Sequence, residues 1–226
     1  MPKMLFATVV CILMAATTAA AQMPEIFVGY TNLQGEGLPD RNVADNSIFN
    51  TDFFQSRTSL HGVNASITAY NEVGIGITGD FSFARRERGQ DFAGGRDEQN
   101  TDIYYFLGGP TVKFNRSHRA QPFARLMAGV AYNRFKANTE LVAPAGTGTV
   151  GNSFVIGATD FAASVGGGMD VRVGDRVKLR VFQVDWAPVF LRDRTVDVLG
   201  SSGIIEPQTL SGQRQDNFRF SFGVAF

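Results

Sequence analysis

Cysteine is almost missing from this 226-residue chain: it has one, Cys11, inside an N-terminal apolar run. A lone thiol makes no internal disulfide, so the fold is not a disulfide scaffold. Val10 precedes it where a lipoprotein leader needs a small residue, so no lipid anchor is read there. Histidine is scarce, with only His61 and His118, which leaves little for a histidine-based metal centre. Net charge is absent, because 21 basic residues balance 21 acidic ones, and nothing points to a nucleic-acid partner. No apolar run reaches the roughly 20 residues of a membrane helix. Lysine is rare, with four against 17 arginines, a bias toward fixed, bidentate charge pairing.

What is present begins with a leader. Lys3, the apolar LFATVVCILMAA (5–16) and the small TTAAAQ (17–22) read as a secretory signal peptide, residues 1–21, cut after Ala21. Residues 22–226 then form one domain. Its 25 glycines and 20 phenylalanines coexist with a mean hydropathy of −0.04. Strands that interleave apolar and polar residues produce such an average, because the mean hides both faces.

Period-two alternation is the dominant pattern. In LHGVNASITAY (60–70), Val63, Ala65, Ile67 and Ala69 alternate with Asn64, Ser66 and Thr68. After a turn near Asn71–Glu72, Val73, Ile75, Ile77, Phe81 and Phe83 alternate with Gly, Thr, Asp and Ser. That predicts a long β-hairpin. A second is predicted over 161–186 with its turn at Gly174–Asp175, and a third over 102–135 around NRSHRAQ. EIFVGYTNL (25–33) and NFRFSFGVAF (217–226) read as first and last strands, giving eight. Connections near 71, 118 and 174 are short, while 34–56, 84–101, 136–159 and 188–215 read as long polar loops. This rhythm, with strands of nine residues or more, predicts an all-β, eight-stranded antiparallel up-and-down transmembrane barrel with four outer loops and short periplasmic turns. The facing of YYFLGGPTVKF (104–114) stays open, since both phases carry aromatics.

If apolar residues face lipid, Asp80, Arg125, Asp170, Arg172, Arg180 and Arg219 point into a lumen only wide enough for side chains. The seventh strand, KLRVFQVDW (178–186), conflicts with itself. Lys178 and Arg180 face inward, but the same phase carried on would put Asp185 into lipid. A β-bulge near Val181–Gln183 returns Gln183 and Asp185 to the lumen.

The alternating aromatic terminus FSFGVAF and the segments YYFLGGPTVKF, ASVGGGMDVRV and KLRVFQVDW resemble those of small outer-membrane barrels related to the transmembrane domain of OmpA. The resemblance covers residues 24–226 and implies an outer-membrane location. It implies that Phe218, Phe220, Phe222, Val224 and Phe226 form the signal read by the barrel-assembly machinery, with periplasmic chaperones as biogenesis partners. It further implies a lumenal network that blocks or gates the pore, with Arg180 as its arginine and Asp80, Asp170 or Asp185 as carboxylate partners. The chain ends at the barrel, without the peptidoglycan-binding domain of full-length relatives, so a cell-wall tether is not expected.

The expected function is structural or adhesive with a plugged lumen, in a monomer embedded in outer-membrane lipid including lipopolysaccharide. The alternatives are a porin-like small-solute channel gated by the lumenal charges, and a lipid-modifying enzyme around Ser59 and His61. No cofactor, metal or catalytic role is expected. GIGITG (74–79) fits a dinucleotide fingerprint only in letters, because it lies within a strand with no helix after it. His61 and His118 are expected at opposite ends of the barrel, too far apart to share a metal.

Overall fold

A computed structural model describes residues 24–36, 57–92, 95–142, 149–199, 205–210 and 214–226. The expected signal peptide and most of the first loop lie outside the described residues. The described residues form twelve strands: β1 (Glu25–Glu36), β2 (Arg57–Tyr70), β3 (Ile75–Phe92), β4 (Gly95–Lys113), β5 (Ala120–Val142), β6 (Thr149–Arg172), β7 (Lys178–Trp186), β8 (Val189–Phe190), β9 (Arg194–Leu199), β10 (Ile205–Leu210), β11 (Arg214–Gln215) and β12 (Phe218–Ala225). Strands β1 to β7 pair in sequence order, and β12 pairs with both β7 and β1. The result is a closed, eight-stranded antiparallel barrel. The seam between first and last strands runs from Gln34↔Phe218 to Phe27↔Ala225 and ends in reciprocal Ile26–Phe226 backbone bonds of 2.8 and 2.9 Å.

The first short turn follows from two residues. Asn71 Oδ1 accepts the Ile75 N–H at 2.9 Å, and Gly74 supplies a φ of 90°, which a side chain would strain.

Two connections differ from expectation. Residues 84–101 are the upper parts of β3 and β4, paired as far as Phe92↔Gly95. Likewise β5 and β6 pair as far as Val142↔Thr149. The expected second and third loops are therefore hairpin arms that lengthen the wall. Charged residues occupy both faces of the first arm, so apolar alternation stops while hydrogen bonding continues. Arg85 reaches Asp102 at 3.4 Å, and Arg96 reaches Glu98 at 3.0 Å. In the fourth connection, β8 and β11 prolong the wall past β7 and β12, and β9 pairs with β10 as a separate hairpin.

The bulge in β7 is present. Met169 pairs with Phe182 and Asp170 with Arg180, so Val181 is the extra residue. Val181 and Phe182 both lie outside, while Arg180, Gln183 and Asp185 are buried. In β4 the open facing resolves with Tyr105, Leu107, Thr111 and Lys113 inward and Phe106 outward.

Candidate functional site

The lumen is stacked in layers. Nearest the short turns, Lys113 Nζ lies 2.5 Å from Glu25 Oε1 and 2.7 Å from Asp170 Oδ2. Arg180 holds Asp170 through Nε at 2.8 Å and Nη2 at 3.2 Å, and Lys178 also bonds Glu25. The Arg180 guanidinium sits between two inward aromatic rings, 4.1 Å from the Phe27 centroid and 4.3 Å from that of Phe123. Such stacking suits the planar guanidinium better than an ammonium.

Both rings lie over bare backbone. A Cβ on Gly29 would fall 2.6 Å from Phe27 Cζ, and one on Gly168 would fall 2.9 Å from Phe123 Cζ. The wall glycines thus make room for the aromatic clamp.

The middle layer is a neutral lattice of two arginines and two aspartates. Arg125 reaches Asp185 at 2.8 and 2.5 Å and Asp80 at 3.0 Å. Arg219 reaches Asp80 at 2.7 Å and Asp185 at 3.1 Å. Asn64 and Gln183 donate to these carboxylates at 2.9 and 2.8 Å, and Ser82 Oγ accepts from Arg219 at 2.7 Å. Gln183 also accepts from Arg180 at 2.8 Å, which joins the two layers. All four charged side chains are no more than 2% exposed. Burial of charge at this depth is tolerated because every carboxylate oxygen receives at least one N–H.

Toward the arms the lumen turns apolar. Leu33, Leu60, Ile103, Tyr105, Met127 and Val189 are each 2% exposed or less, and Ala131, Ala162 and Ala187 fill the spaces between them. Tyr105 donates to Ala187 O at 3.2 Å and accepts from Asn217 at 2.7 Å, so the phenol in this layer is satisfied.

Of the expected lumenal charges, Asp80, Arg125, Asp185 and Arg219 form one cluster, and Asp170 and Arg180 belong to the other. Arg172 joins neither. It lies exposed at the end of β6, and its Nη2 donates to Arg116 O at 2.6 Å. Its phase is inward, but at the last position of the strand the wall no longer encloses it. Glu25 and Lys113 belong to the site and were not foreseen. Glu25 opens its strand, with no preceding alternation to give its phase, and Lys113 sits in the segment whose facing was open.

On the outer wall, register aligns Tyr30, Val63, Phe83, Tyr104 and Tyr132 in one row, and Asn32, His61, Arg85, Asp102 and Arg134 in the next. His61 Nδ1 bonds the Tyr30 phenol, while Ser59 Oγ accepts from Asn32 at 2.7 Å and from Gln34 at 3.2 Å. Ser59 and His61 therefore share Asn32 as a neighbour but are not bonded as nucleophile and base. His118 lies in the β4–β5 turn, at the other end of the molecule. Of the terminal row, Phe222, Val224 and Phe226 are exposed and Phe218 and Phe220 half-buried.

No family model and no curated protein sequence matches the chain. Solved structures do resemble it. A major outer membrane protein from Thermus thermophilus aligns with a TM-score of 0.50 at 10% identity, over 91% of this chain and 99% of that one. Ail, the attachment invasion locus protein of Yersinia pestis, aligns at 0.47 and 14% identity, over 90% and 97%. The outer membrane protease OmpT from Escherichia coli aligns at 0.45 and 10%, over 90% and 95%. At such identities the likeness is one of fold alone.

Proposed function

We propose that this chain is an outer-membrane barrel with a closed lumen, and that its role is structural or adhesive, carried by the hairpin arms. The single observation that carries the reading is the double closure of the lumen, by an ion-paired lattice and by an apolar layer stacked on it.

The wall supports membrane insertion. Val28, Ile67, Ile77, Phe106, Leu126, Val165 and Phe222 are 41–58% exposed on its outer face. An apolar surface that encircles the molecule suits hydrocarbon and is a liability in water. From Tyr104 to Phe114 the strand advances ten residues. At about 3.4 Å per residue and a tilt near 40°, that spans about 25 Å, the height of the apolar band of such barrels. The short turns and both strand termini then face the periplasm, and the arms project outward.

A catalytic role is not part of this reading, because Ser59 is engaged by amides and His61 by a phenol. Single-channel recording of the mature chain refolded into a planar bilayer tests the proposal, with folding verified by a heat-dependent gel shift. A silent bilayer is expected. Steady ohmic steps that change in Arg180→Ala would replace the closed barrel with a gated small-solute channel.

A further inference from the structure

The three short turns gather arginine. Arg116 and Arg119 lie in the β4–β5 turn, and Arg172 and Arg176 bound and occupy the β6–β7 turn, against Glu72 and Asp175 as the acidic residues of the turns. The two arginine-bearing turns touch: Arg172 N donates to Arg119 O at 2.8 Å, and Arg172 Nη2 donates to Arg116 O at 2.6 Å. The side chains of Arg119 and Arg176 make no hydrogen bond or ion pair among the described residues. The Arg172 guanidinium meets a carbonyl rather than a carboxylate. All three are exposed.

The opposite end has the reverse balance. Among the described residues, segments 36–57, 85–102, 134–160 and 192–216 include ten basic and twelve acidic residues. A chain with no net charge is therefore bipolar, with its cationic end at the turns.

Apolar residues interleave with these arginines. Val173 and Val177 bracket the β6–β7 turn at 57% and 42% exposure, and Phe114 precedes the neighbouring turn at 51%. Turns immersed in water gain nothing from exposed valine and phenylalanine. Turns resting at the bilayer interface place such side chains among acyl chains and hold guanidinium groups at the depth of lipid phosphates. A guanidinium fork also matches phosphate oxygens two at a time.

We propose that Arg119, Arg172 and Arg176 form a binding site for the phosphate groups of anionic phospholipids in the periplasmic leaflet. The inference rests on the outer-membrane reading above. It assigns the turn end a lipid-selecting role, separate from the outward arms.

The test uses the mature barrel in bilayers of phosphatidylcholine and phosphatidylglycerol, with spin-labelled versions of each lipid reporting relative association by electron paramagnetic resonance. Wild type is expected to prefer phosphatidylglycerol about threefold or more at low salt, with the preference shrinking as salt rises. Arg119→Gln/Arg172→Gln/Arg176→Gln should bring the ratio close to one, and the all-lysine counterpart should retain most of it. Arg85→Gln/Arg134→Gln, at the other end, should leave it unchanged. If the triple glutamine variant fails the gel-shift test of folding, Arg119→Gln/Arg176→Gln is read instead, since those side chains make no bond within the described fold. Equal preference in wild type and the turn variant overturns the site, as does loss of preference in the arm variant. Binding of soluble polyglutamate without lipid preference overturns it in favour of a soluble polyanion. Failure of the chain to enter bilayers at all overturns the outer-membrane reading as well, whereas insertion without selectivity overturns only this site.

Discussion

Replacing Asp185 with asparagine probes the seal at its most connected point. Asp185 accepts two bonds from Arg125, at 2.8 and 2.5 Å, one from Arg219 at 3.1 Å and one from Gln183 at 2.8 Å. Asparagine keeps the volume, so no cavity opens, but two buried guanidinium groups then share Asp80 alone. Leaving a buried charge short of its partner costs about 3–5 kcal/mol. The double variant Arg125→Met/Asp185→Leu removes one charge of each sign and leaves Arg219 with Asp80 and Ser82. It should lie within about 2 kcal/mol of wild type, far less than the two single losses added together. Urea unfolding from lipid vesicles measures both, with Trp186 as the only tryptophan and therefore the sole indole reporter. Its Nε1 donates to Asp216 Oδ1 at 3.1 Å, so its emission follows the release of β7. A loss below about 1 kcal/mol in Asp185→Asn, or a double variant as damaged as the sum, would mean that water already solvates the lattice. The closed-lumen reading would go with it.

Deleting Val181 should be tolerated, because it removes the bulge yet leaves Arg180, Gln183 and Asp185 facing inward. Deleting Val184 should abolish the folded band on a heat-modifiability gel, because it turns Asp185 toward lipid. Arg180→Lys keeps the charge but loses the fork on Asp170 and the stacking between Phe27 and Phe123, and should cost about 1–3 kcal/mol in the same urea assay without opening a conductance. Removing Phe226 should lower the amount of folded protein that cells deliver to the outer membrane while leaving refolding in detergent intact. Cell fractionation beside in-vitro refolding separates the two.

The alternation over 60–83 suffices to place β2 and β3, and the misplaced charge of Asp185 suffices to place the bulge. Both are legible because one wrong phase would bury or expose a whole face of side chains. The arms at 84–101 and 136–159 are not legible in the same way. Once a strand leaves the apolar band, nothing requires its two faces to differ, so Arg85, Glu87 and Arg96 read as loop while the backbone ladder continues. The partners of Arg180 are legible only as a set. Periodicity shows that Asp80 and Asp170 face inward, and with the bulge Asp185 does too, but height along the lumen follows from strand register, and register separates Asp170 from the other two. Glu25 and Lys113 escape for the reasons already given, although an inward lysine at 113 would have implied an acidic neighbour.

The two layers of the seal rest on different physics, and that difference bears on function. The charge lattice has no net charge, and its members are almost wholly desolvated, so salt screens it weakly. The layer of Leu33, Leu60, Ile103 and Met127 is lined by apolar side chains, its phenol Tyr105 is held at both ends, and Asp160 is buried opposite Ala131 at its edge. A stimulus that loosened either layer would leave the other closed. Between the lattice and the turns, the Phe27–Arg180–Phe123 stack occupies the space left by Gly29 and Gly168, so even the narrow glycine-lined parts of the wall are filled. A conduit needs a continuous path that one event can open, and on the closed-lumen reading no single event opens both layers. What the wall offers to its surroundings lies at its ends, in a first arm that carries charge on both faces and turns that carry arginine beside valine.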